Sequence, residues 1–206
     1  MTTTHNIDEL NISFVGVGGT GVLTAAHLLA EAALLENLNV VIGEIHGMAQ
    51  RGGSVFCEVR IGENVHGPII PIGKLDILVG IEPLETLRYS YKLHKKSYVL
   101  INTYTIPPPS VSIGKGHYPS LEQIENTLRR FTPLIYKINA AEIAKKTGSL
   151  VTMNIVMIGA IAGLRILPIE VNSFIKAIKT YFPEKYNEQN IKAFKLGYEN
   201  MSENIT

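Results

Sequence analysis

The sequence predicts an α/β protein with three layers, in which helices cover both faces of a mostly parallel, possibly mixed sheet. Short apolar runs rich in β-branched residues alternate with longer Ala- and Leu-rich stretches along most of the chain. This alternation is the order expected of βαβ units. A glycine cluster also follows the first apolar run at once, which is typical of a tight connection between a strand and a helix.

The first forty-four residues predict a βαβ unit. Residues 12–16 form the first predicted strand, residues 22–36 a helix, and residues 40–42 a second strand that ends near Glu44. Because a helix connects the two strands, we expect them to run parallel with a right-handed crossover. The glycine-rich turn makes this unit Rossmann-like.

The later segments also predict strands and helices that alternate along the chain. Residues 65–70 are a possible partner for the strand at 55–61, which would make that strand part of a hairpin or a sheet edge. The proline-rich stretch 103–119 predicts an extended excursion. The length of 206 residues fits a single domain, 1–206. The remaining predicted strands are 75–81, 98–102 and 134–138, and the remaining predicted helices are 84–95, 121–130, 140–147, 154–167, 171–181 and 188–201.

Composition narrows the classes of ligand and location. Nineteen basic against 18 acidic side chains, with no basic stripe, argue against nucleic acid, and a hydrophobic content of 46% suggests apolar surface for a protein partner. The single cysteine, Cys57, supplies too few thiolates for an iron–sulfur cluster or a zinc site. We expect it to be a small buried hydrophobe, with a reactive thiol as the alternative. A polar amino terminus and the lack of any apolar run of roughly 18 residues predict a cytoplasmic protein that does not enter a membrane.

Residues 16–21, Gly-Val-Gly-Gly-Thr-Gly, match the pattern G-x-G-x-x-G, and Glu44 follows 23 positions after Gly21. Two interpretations stay open. In the first, the turn holds the phosphates of a nicotinamide or flavin dinucleotide at the helix amino terminus, and Glu44 accepts a hydrogen bond from a ribose hydroxyl. In the second, the same glycines only allow a tight turn and close packing of the helix on the strand.

A second glycine-bearing loop, residues 46–54, makes the comparison with known families specific. The segments Gly-Val-Gly-Gly-Thr-Gly at 16–21, Glu-Ile-His-Gly-Met-Ala-Gln-Arg-Gly-Gly-Ser at 44–54 and Glu-Pro-Leu-Glu at 82–85 together resemble motifs of the smaller subunit of indolepyruvate ferredoxin oxidoreductase. More broadly, they resemble the gamma-type domain of the pyruvate/ketoisovalerate and other 2-oxoacid:ferredoxin oxidoreductases. The resemblance extends from about residue 12 to about residue 167 and so covers most of the chain.

This resemblance implies an enzyme complex that oxidatively decarboxylates arylpyruvates with coenzyme A, yielding an arylacetyl-CoA, carbon dioxide and reduced ferredoxin. Thiamine diphosphate and the [4Fe–4S] clusters would belong to a larger partner subunit, and ferredoxin would be reached through the complex. The present chain would bind no cofactor alone and would be inactive alone. Two rivals are a stand-alone nucleotide-dependent oxidoreductase and a purely structural scaffold subunit.

We expect the two glycine loops to bind a cofactor or to face the partner, and we predict no catalytic residue and no metal ligand in this chain. Arg51, with the amides of Gly52 and Gly53, would meet an anionic group of coenzyme A, of the substrate or of the partner. The alternative is that Arg51 and Gln50 bond the carbonyls of their own loop. The candidate residues are Gly16, Gly18, Gly19, Thr20, Gly21, Glu44, His46, Gly47, Gln50, Arg51, Gly52, Gly53 and Ser54.

Three further acid–base residues have both a functional and a structural interpretation. His46 could transfer protons near neutral pH, but we expect it to be a hydrogen-bonded structural group. Glu82 and Glu85 end a predicted strand at the edge where α/β proteins bind ligands, but they also suit the amino end of the following helix. We expect them to serve as helix caps.

Overall fold

The computed structural model describes residues 7–46 and 52–203. Within these ranges one mixed sheet has six strands in the order β2-β3-β1-β4-β5-β6. Only β3 runs against the other five, because it pairs antiparallel with both β1 and β2, while β1, β4, β5 and β6 pair in parallel. The strands are β1 (Leu10–Val17), β2 (Val40–His46), β3 (Ser54–Ile61), β4 (Leu75–Gly80), β5 (Leu93–Asn102) and β6 (Ile135–Ile138).

Helices and loops cover both faces of this sheet, which confirms the predicted three-layer α/β class. Side chains alternate between the faces along β1, so Ile12 and Phe14 enter one buried cluster and Val15 enters another. The first cluster includes α1 and α5 to α8, and the second includes α4. The helices are α1 (Val22–Leu35), α2 (Pro83–Arg88), α3 (Pro109–Ser112), α4 (Leu121–Leu128), α5 (Ala140–Lys145), α6 (Met153–Gly163), α7 (Val171–Tyr181) and α8 (Asn187–Glu203).

Strands β1 and β2 run in the same direction, as predicted, but they are not neighbours. β3 lies between them, and it pairs with β2 from Val40↔Ile61 to His46↔Val55. The loop after β2 is therefore the turn of an antiparallel hairpin. The prediction that residues 65–70 pair with β3 is wrong, and β3 is not an edge strand, because β1 and β2 occupy both of its sides.

Residues 65–70 cross a face of the sheet instead of joining its edge. The Ile70 amide donates to the buried Glu58 carboxylate of β3 at 2.9 Å. A Cβ atom added to Gly43 of β2 would lie 2.7 Å from Pro68 Cβ, so the segment passes close above β2. Proline at this position removes a ladder donor, which explains why the segment covers the sheet and does not extend it.

Two predicted helices end early. The helix predicted at 84–95 ends at Arg88, and after a 3-10 turn the chain enters β5 at Leu93. Buried Glu58 accepts hydrogen bonds from the Tyr89 hydroxyl and, at 2.5 Å, from Lys92 Nζ, so a long-range contact fixes this turn. The helix predicted at 154–167 ends at Gly163, two residues before Arg165 adopts a left-handed conformation with φ 54°.

Helix α6 is buried along its whole length and packs closely on α8. A Cβ atom at Gly159 would overlap the Phe194 carbonyl, and one at Gly163 would lie 2.6 Å from the Tyr198 carbonyl oxygen. These contacts bring the backbones of α6 and α8 close together at both glycines. Since higher numbers on α6 meet higher numbers on α8, the two helices run parallel with their amino ends together. No helix in the described ranges combines the length and apolar character needed to cross a bilayer.

Candidate functional site

The two glycine loops meet at the carboxyl edge of the sheet. The Gly18 amide donates to the Gly53 carbonyl at 2.8 Å, and the Gly52 amide donates to the Gly18 carbonyl at 3.4 Å. Ser54 then begins β3 and pairs with Val17, the last residue of β1. The structure therefore joins the turn after β1 and the end of the hairpin loop into one continuous backbone surface.

Each end of the glycine turn has a steric reason for lacking a side chain. A Cβ atom at Gly16 would lie 2.9 Å from Val22 Cγ2 and 3.2 Å from Ile81 Cβ. Gly21 has a φ of 81°, and a Cβ there would lie 2.7 Å from Asn154 Cγ of α6. Gly16 thus lies in a tightly packed turn, whereas the close neighbour of Gly21 is Asn154 of α6 and not the first strand that the sequence predicted.

The middle of the turn is open. Gly19 has a φ of 95° and Gly52 a φ of 77°, and a Cβ at either position would meet nothing within 4 Å. These two glycines adopt left-handed backbone conformations, and the space above their backbone is open. The Thr20 hydroxyl donates to the Val17 carbonyl at 2.7 Å and so stabilises the turn itself.

Glu44 does not lie beside the glycine turn. It pairs across β3 with Cys57, which in turn pairs with Phe14 of β1, so two strand spacings of about 4.8 Å each separate Glu44 from β1. Glu44 Oε1 lies 2.5 Å from Nε2 of His27 on α1. Because a dinucleotide site places the acidic strand next to the glycine strand, the inserted β3 departs from that arrangement.

Part of the second loop is outside the described residues. Gly47, Gln50 and Arg51 fall in residues 47–51, so their predicted contacts stay predictions. His46 is the last residue of β2, and its backbone pairs with Val55.

Glu82 is a helix cap and also holds the proline-rich segment. Its Oε2 accepts from the Glu85 amide at 2.9 Å, which confirms the capping interpretation. Its Oε1 accepts from the Ile106 amide at 3.2 Å and from the Tyr118 hydroxyl. Burial, followed by the bond to Glu82, raises the pKa of Tyr118 above its usual range. One carboxylate oxygen thus closes the loop from 106 to 118.

The second predicted acid of this motif, Glu85, pairs with Arg88 at 2.5 Å. Both residues line a small pocket of about 50 Å³, which Gly52, Ser54 and the first prolines of the 103–119 segment also line. The end of the hairpin loop therefore lies beside the amino end of α2, and Arg88 is a cation at this pocket.

Cys57 has the structural role expected of it. Its side chain is fully buried in β3, and burial raises the pKa of the thiol to about 12, with the charges of Glu44 and Glu58 adding to the shift. A protonated, buried thiol neither reacts readily nor ligates iron. The described residues contain no group of three or more His, Cys, Asp or Glu side chains that could hold a metal ion.

A larger cleft of about 670 Å³ opens on the other side of the glycine turn. The sequence does not predict this cleft, because its walls come from distant parts of the chain. For example, Asn154 Nδ2 donates to the Gly21 carbonyl at 3.2 Å, and the two residues are 133 positions apart. No sequence motif marks these walls. The cleft is lined by Gly19, Thr20, Gly21, Thr24, Ser149, Leu150, Val151, Thr152, Met153, Asn154, Ile155, Phe182, Pro183, Tyr186, Gln189 and Asn190.

Known proteins share both the sequence and the fold. The chain is 46% identical over 190 residues to a protein of Archaeoglobus fulgidus named indolepyruvate oxidoreductase subunit IorB, covering 92% of this chain and 94% of that one. Its fold matches the gamma subunit of a keto/oxoacid ferredoxin oxidoreductase from Geobacter sulfurreducens with a TM-score of 0.69 and 25% identity, covering 93% of this chain and 98% of that one.

A longer protein contains the same fold. A 2-oxoglutarate:ferredoxin oxidoreductase from Magnetococcus marinus, solved with 2-oxoglutarate, coenzyme A and succinyl-CoA bound, matches with a TM-score of 0.73 and 18% identity, covering 97% of this chain and 32% of that one. Residues 11–200 match the sequence family described as pyruvate ferredoxin/flavodoxin oxidoreductase. The chain therefore belongs to the pyruvate ferredoxin/flavodoxin oxidoreductase family.

Proposed function

We propose that this chain is the small subunit of an indolepyruvate-type 2-oxoacid:ferredoxin oxidoreductase. The complex would decarboxylate arylpyruvates oxidatively with coenzyme A and pass the electrons to ferredoxin. Support comes from the 46% identity to the Archaeoglobus subunit along nearly the full length of both chains. Thiamine diphosphate and the iron–sulfur clusters belong, in this proposal, to a larger partner subunit, in keeping with the single buried cysteine of this chain.

One observation carries the proposed contribution of this chain. The turn after β1 and the hairpin loop are hydrogen-bonded to each other, and their exposed backbone at Gly19 and Gly52 has open space above it. The Gly18 and Gly52 amides are used in the contact between the loops, so other backbone amides of this surface would meet the phosphate oxygens of a bound co-substrate. We assign coenzyme A to the side of this surface at Gly52 and Gly53, and the guanidinium of the preceding residue, Arg51, would bind a phosphate.

The rival enzyme class, a stand-alone nucleotide-dependent oxidoreductase, has less support. Its acidic ribose ligand would be Glu44, which lies beyond β3 and beside His27. Calorimetric titration of the isolated chain with NAD(P) tests this rival, because tight binding would favour it. The cytoplasmic location expected from the sequence stays a prediction.

The substitution Arg51→Ala in the reconstituted complex tests the assigned side. We expect the KM for coenzyme A to rise by about tenfold or more with a smaller change in kcat, because a charge-assisted bond to a phosphate would be lost. Arg165→Ala is the control, since Arg165 is exposed after the carboxyl end of α6. Unchanged assembly, coenzyme A saturation and turnover in Arg51→Ala would remove the functional role of this loop.

The proposed partner is tested by purification of the chain from its native source. We expect it to recover a larger, cysteine-rich subunit that binds thiamine diphosphate, and we expect the isolated chain to be inactive with arylpyruvates. Purification without such a partner, or reduction of an acceptor by the isolated chain with a soluble nucleotide coenzyme, would contradict the proposal.

A further inference from the structure

We propose that the 670 Å³ cleft beside Gly19–Gly21 is a second ligand site, which binds a small monocarboxylate with an aromatic or other flat apolar body. The residues that line it do not include Gly52 or Gly53, to which coenzyme A is assigned above. The proposal does not depend on the identity of the partner subunit.

Three helices direct their amino ends at this cleft. Residues from the first turns of α1, α6 and α8 line it, and each of these helices has at least 11 residues. The amino end of α1 has neither a side-chain cap nor an acid in its first turn. A helix amino end carries the equivalent of roughly half a positive charge, which favours an anion at this point, although Glu188 in the first turn of α8 offsets part of that charge.

A buried polar side chain without a partner points to the same conclusion. Asn190 on α8 lines the cleft and is only 6% exposed, yet its side-chain amide bonds to no group in the described part of the chain. The fully buried side-chain atoms without a partner in the described residues do not include those of Asn190, so its amide reaches the cleft, where a polar ligand can bond to it. A carboxylate oxygen is an acceptor suited to its N–H groups.

The rest of the cleft is apolar and partly aromatic. The apolar residues that line it include Phe182, Pro183, Tyr186, Leu150 and Val151. Val151 is 85% exposed and Tyr186 is 45% exposed, so apolar surface remains at the entrance. A ring or other flat apolar body would cover this surface while its charged end reached the helix termini.

The charge of the walls favours a ligand with a single negative charge over a ligand with several. None of the lining residues is Lys, Arg, His, Asp or Glu. Helix ends supplying roughly half a charge each can balance one carboxylate, but the several charges of a nucleotide or of coenzyme A require cationic side chains. An uncharged ring would gain nothing from the positive helix ends, and it would leave the side chain of Asn190 without a hydrogen-bond partner.

Titration calorimetry on the full chain tests the proposal with indole-3-acetate as the probe. We expect saturable binding of indole-3-acetate and binding weaker by about tenfold or more for indole-3-acetamide, which keeps the ring and loses the charge. This comparison uses the unchanged protein, so it does not depend on whether a variant folds. AMP and coenzyme A serve as multiply charged probes for competition.

The substitution Asn190→Asp tests whether indole-3-acetate binds in this cleft. It places a negative charge at the buried wall, and we expect the affinity for indole-3-acetate to fall by about tenfold or more through like-charge repulsion. Asn172→Asp is the matched control, because it makes the same change in the first turn of α7, at an exposed position that does not line the cleft. Indole-3-acetate binding should be unchanged in this control.

Three results would overturn the proposal: no binding of indole-3-acetate, equal binding of acid and amide, or equal affinity in Asn190→Asp and the unchanged protein. Displacement of indole-3-acetate by AMP at a lower concentration than the acid itself requires would show a nucleotide site and would also overturn it. The KM for coenzyme A in Arg51→Ala is a separate measurement, so either proposal can fail while the other stands.

Discussion

Arg165 and Asn37 occupy equivalent positions just beyond helix ends and show how a single residue sets local strain. Both adopt left-handed backbone conformations, with φ values of 54° and 60°. At Asn37 the turn is closed by the Asn37 and Leu38 amides, which donate to the Leu34 and Ala33 carbonyls. Asparagine tolerates this conformation, whereas a long side chain such as that of Arg165 is unfavourable there, and glycine is the usual residue.

Arg165→Gly should stabilise the protein. Relief of the left-handed strain contributes about 1–2 kcal/mol, and the added freedom of glycine in the unfolded chain offsets about 0.5–1 kcal/mol. We therefore expect the free energy of unfolding in urea to rise by about 0.5–1 kcal/mol. Arg165→Ala loses the same exposed side chain and keeps the strain, so it should show no gain. Equal stability of the two variants would contradict this explanation.

At the scale of elements, the pair α6 and α8 depends on contact between backbones. Gly159 and Gly163 on α6 and Gly197 on α8 each face a carbonyl group of the opposite helix. Burial of the whole of α6 follows from this contact, because the sheet side and the α8 side of the helix are both covered. The same parallel pairing brings both amino ends to the 670 Å³ cleft.

Gly159→Ala should therefore destabilise the protein strongly. The added methyl group would overlap the Phe194 carbonyl, and overpacking of a core typically costs about 1–3 kcal/mol or more. The measurement is the free energy of unfolding in urea. Gly67→Ala is the control, since a Cβ at Gly67 meets nothing within 4 Å and its φ is not in the left-handed region. A small effect at Gly159, comparable to that at Gly67, would disprove the close contact.

The proline-rich segment 106–118 depends on one carboxylate oxygen, Glu82 Oε1. Tyr118→Phe removes the bond at one end of this segment and leaves the bonds from Ile106 and Glu85 in place. We expect cleavage by trypsin after exposed Lys115 to become faster by about threefold or more, because cleavage requires local opening. Tyr136→Phe is the control, since the Tyr136 ring stacks on Tyr98 and its hydroxyl bonds to no group within residues 7–46 and 52–203. Equal cleavage rates in the two variants would show that the bond does not hold the segment.

At the scale of the whole molecule, buried thiol and phenol groups that stay protonated in the folded state determine how stability changes at alkaline pH. Burial raises the pKa of the Cys57 thiol from 9.0 to about 12, and it also raises the pKa values of the Tyr89 and Tyr118 hydroxyls. Above a pH of about 9 the unfolded chain loses the thiol proton while the folded chain keeps it. The unfolded state then binds fewer protons, so stability falls as the pH rises from about 9 to about 12.

The variant Cys57→Ala isolates the contribution of the thiol. Between about pH 8 and pH 10, we expect the free energy of unfolding of the unchanged protein to fall by about 1.4 kcal/mol relative to that of the variant, which is the value for one pH unit beyond the unfolded pKa. Urea unfolding at the two pH values measures this difference. A constant difference between the two proteins would mean that the thiol ionises equally in both states.

Local patterns in the sequence determined the elements and several of their details. Alternating apolar runs predicted all six strands, and Glu82 was predicted to cap α2. The family, too, follows from short motifs at 16–21, 44–54 and 82–85. These features succeed because each depends on residues only a few positions apart, whose spacing fixes which side is buried. The single-domain assignment, 1–206, stays a prediction.

Only the tertiary structure decided which elements are neighbours. The run at 55–61 fits a strand in any position, and its place between β1 and β2 moves Glu44 away from the glycine turn. In the same way, Gly21, Asn154 and Asn190 meet at one cleft although no local pattern links them. The periodicity of a strand or helix records how much of it is buried but not against which partner. That choice depends on side-chain fit between segments far apart in the chain, which the spacing of residues within either segment does not contain.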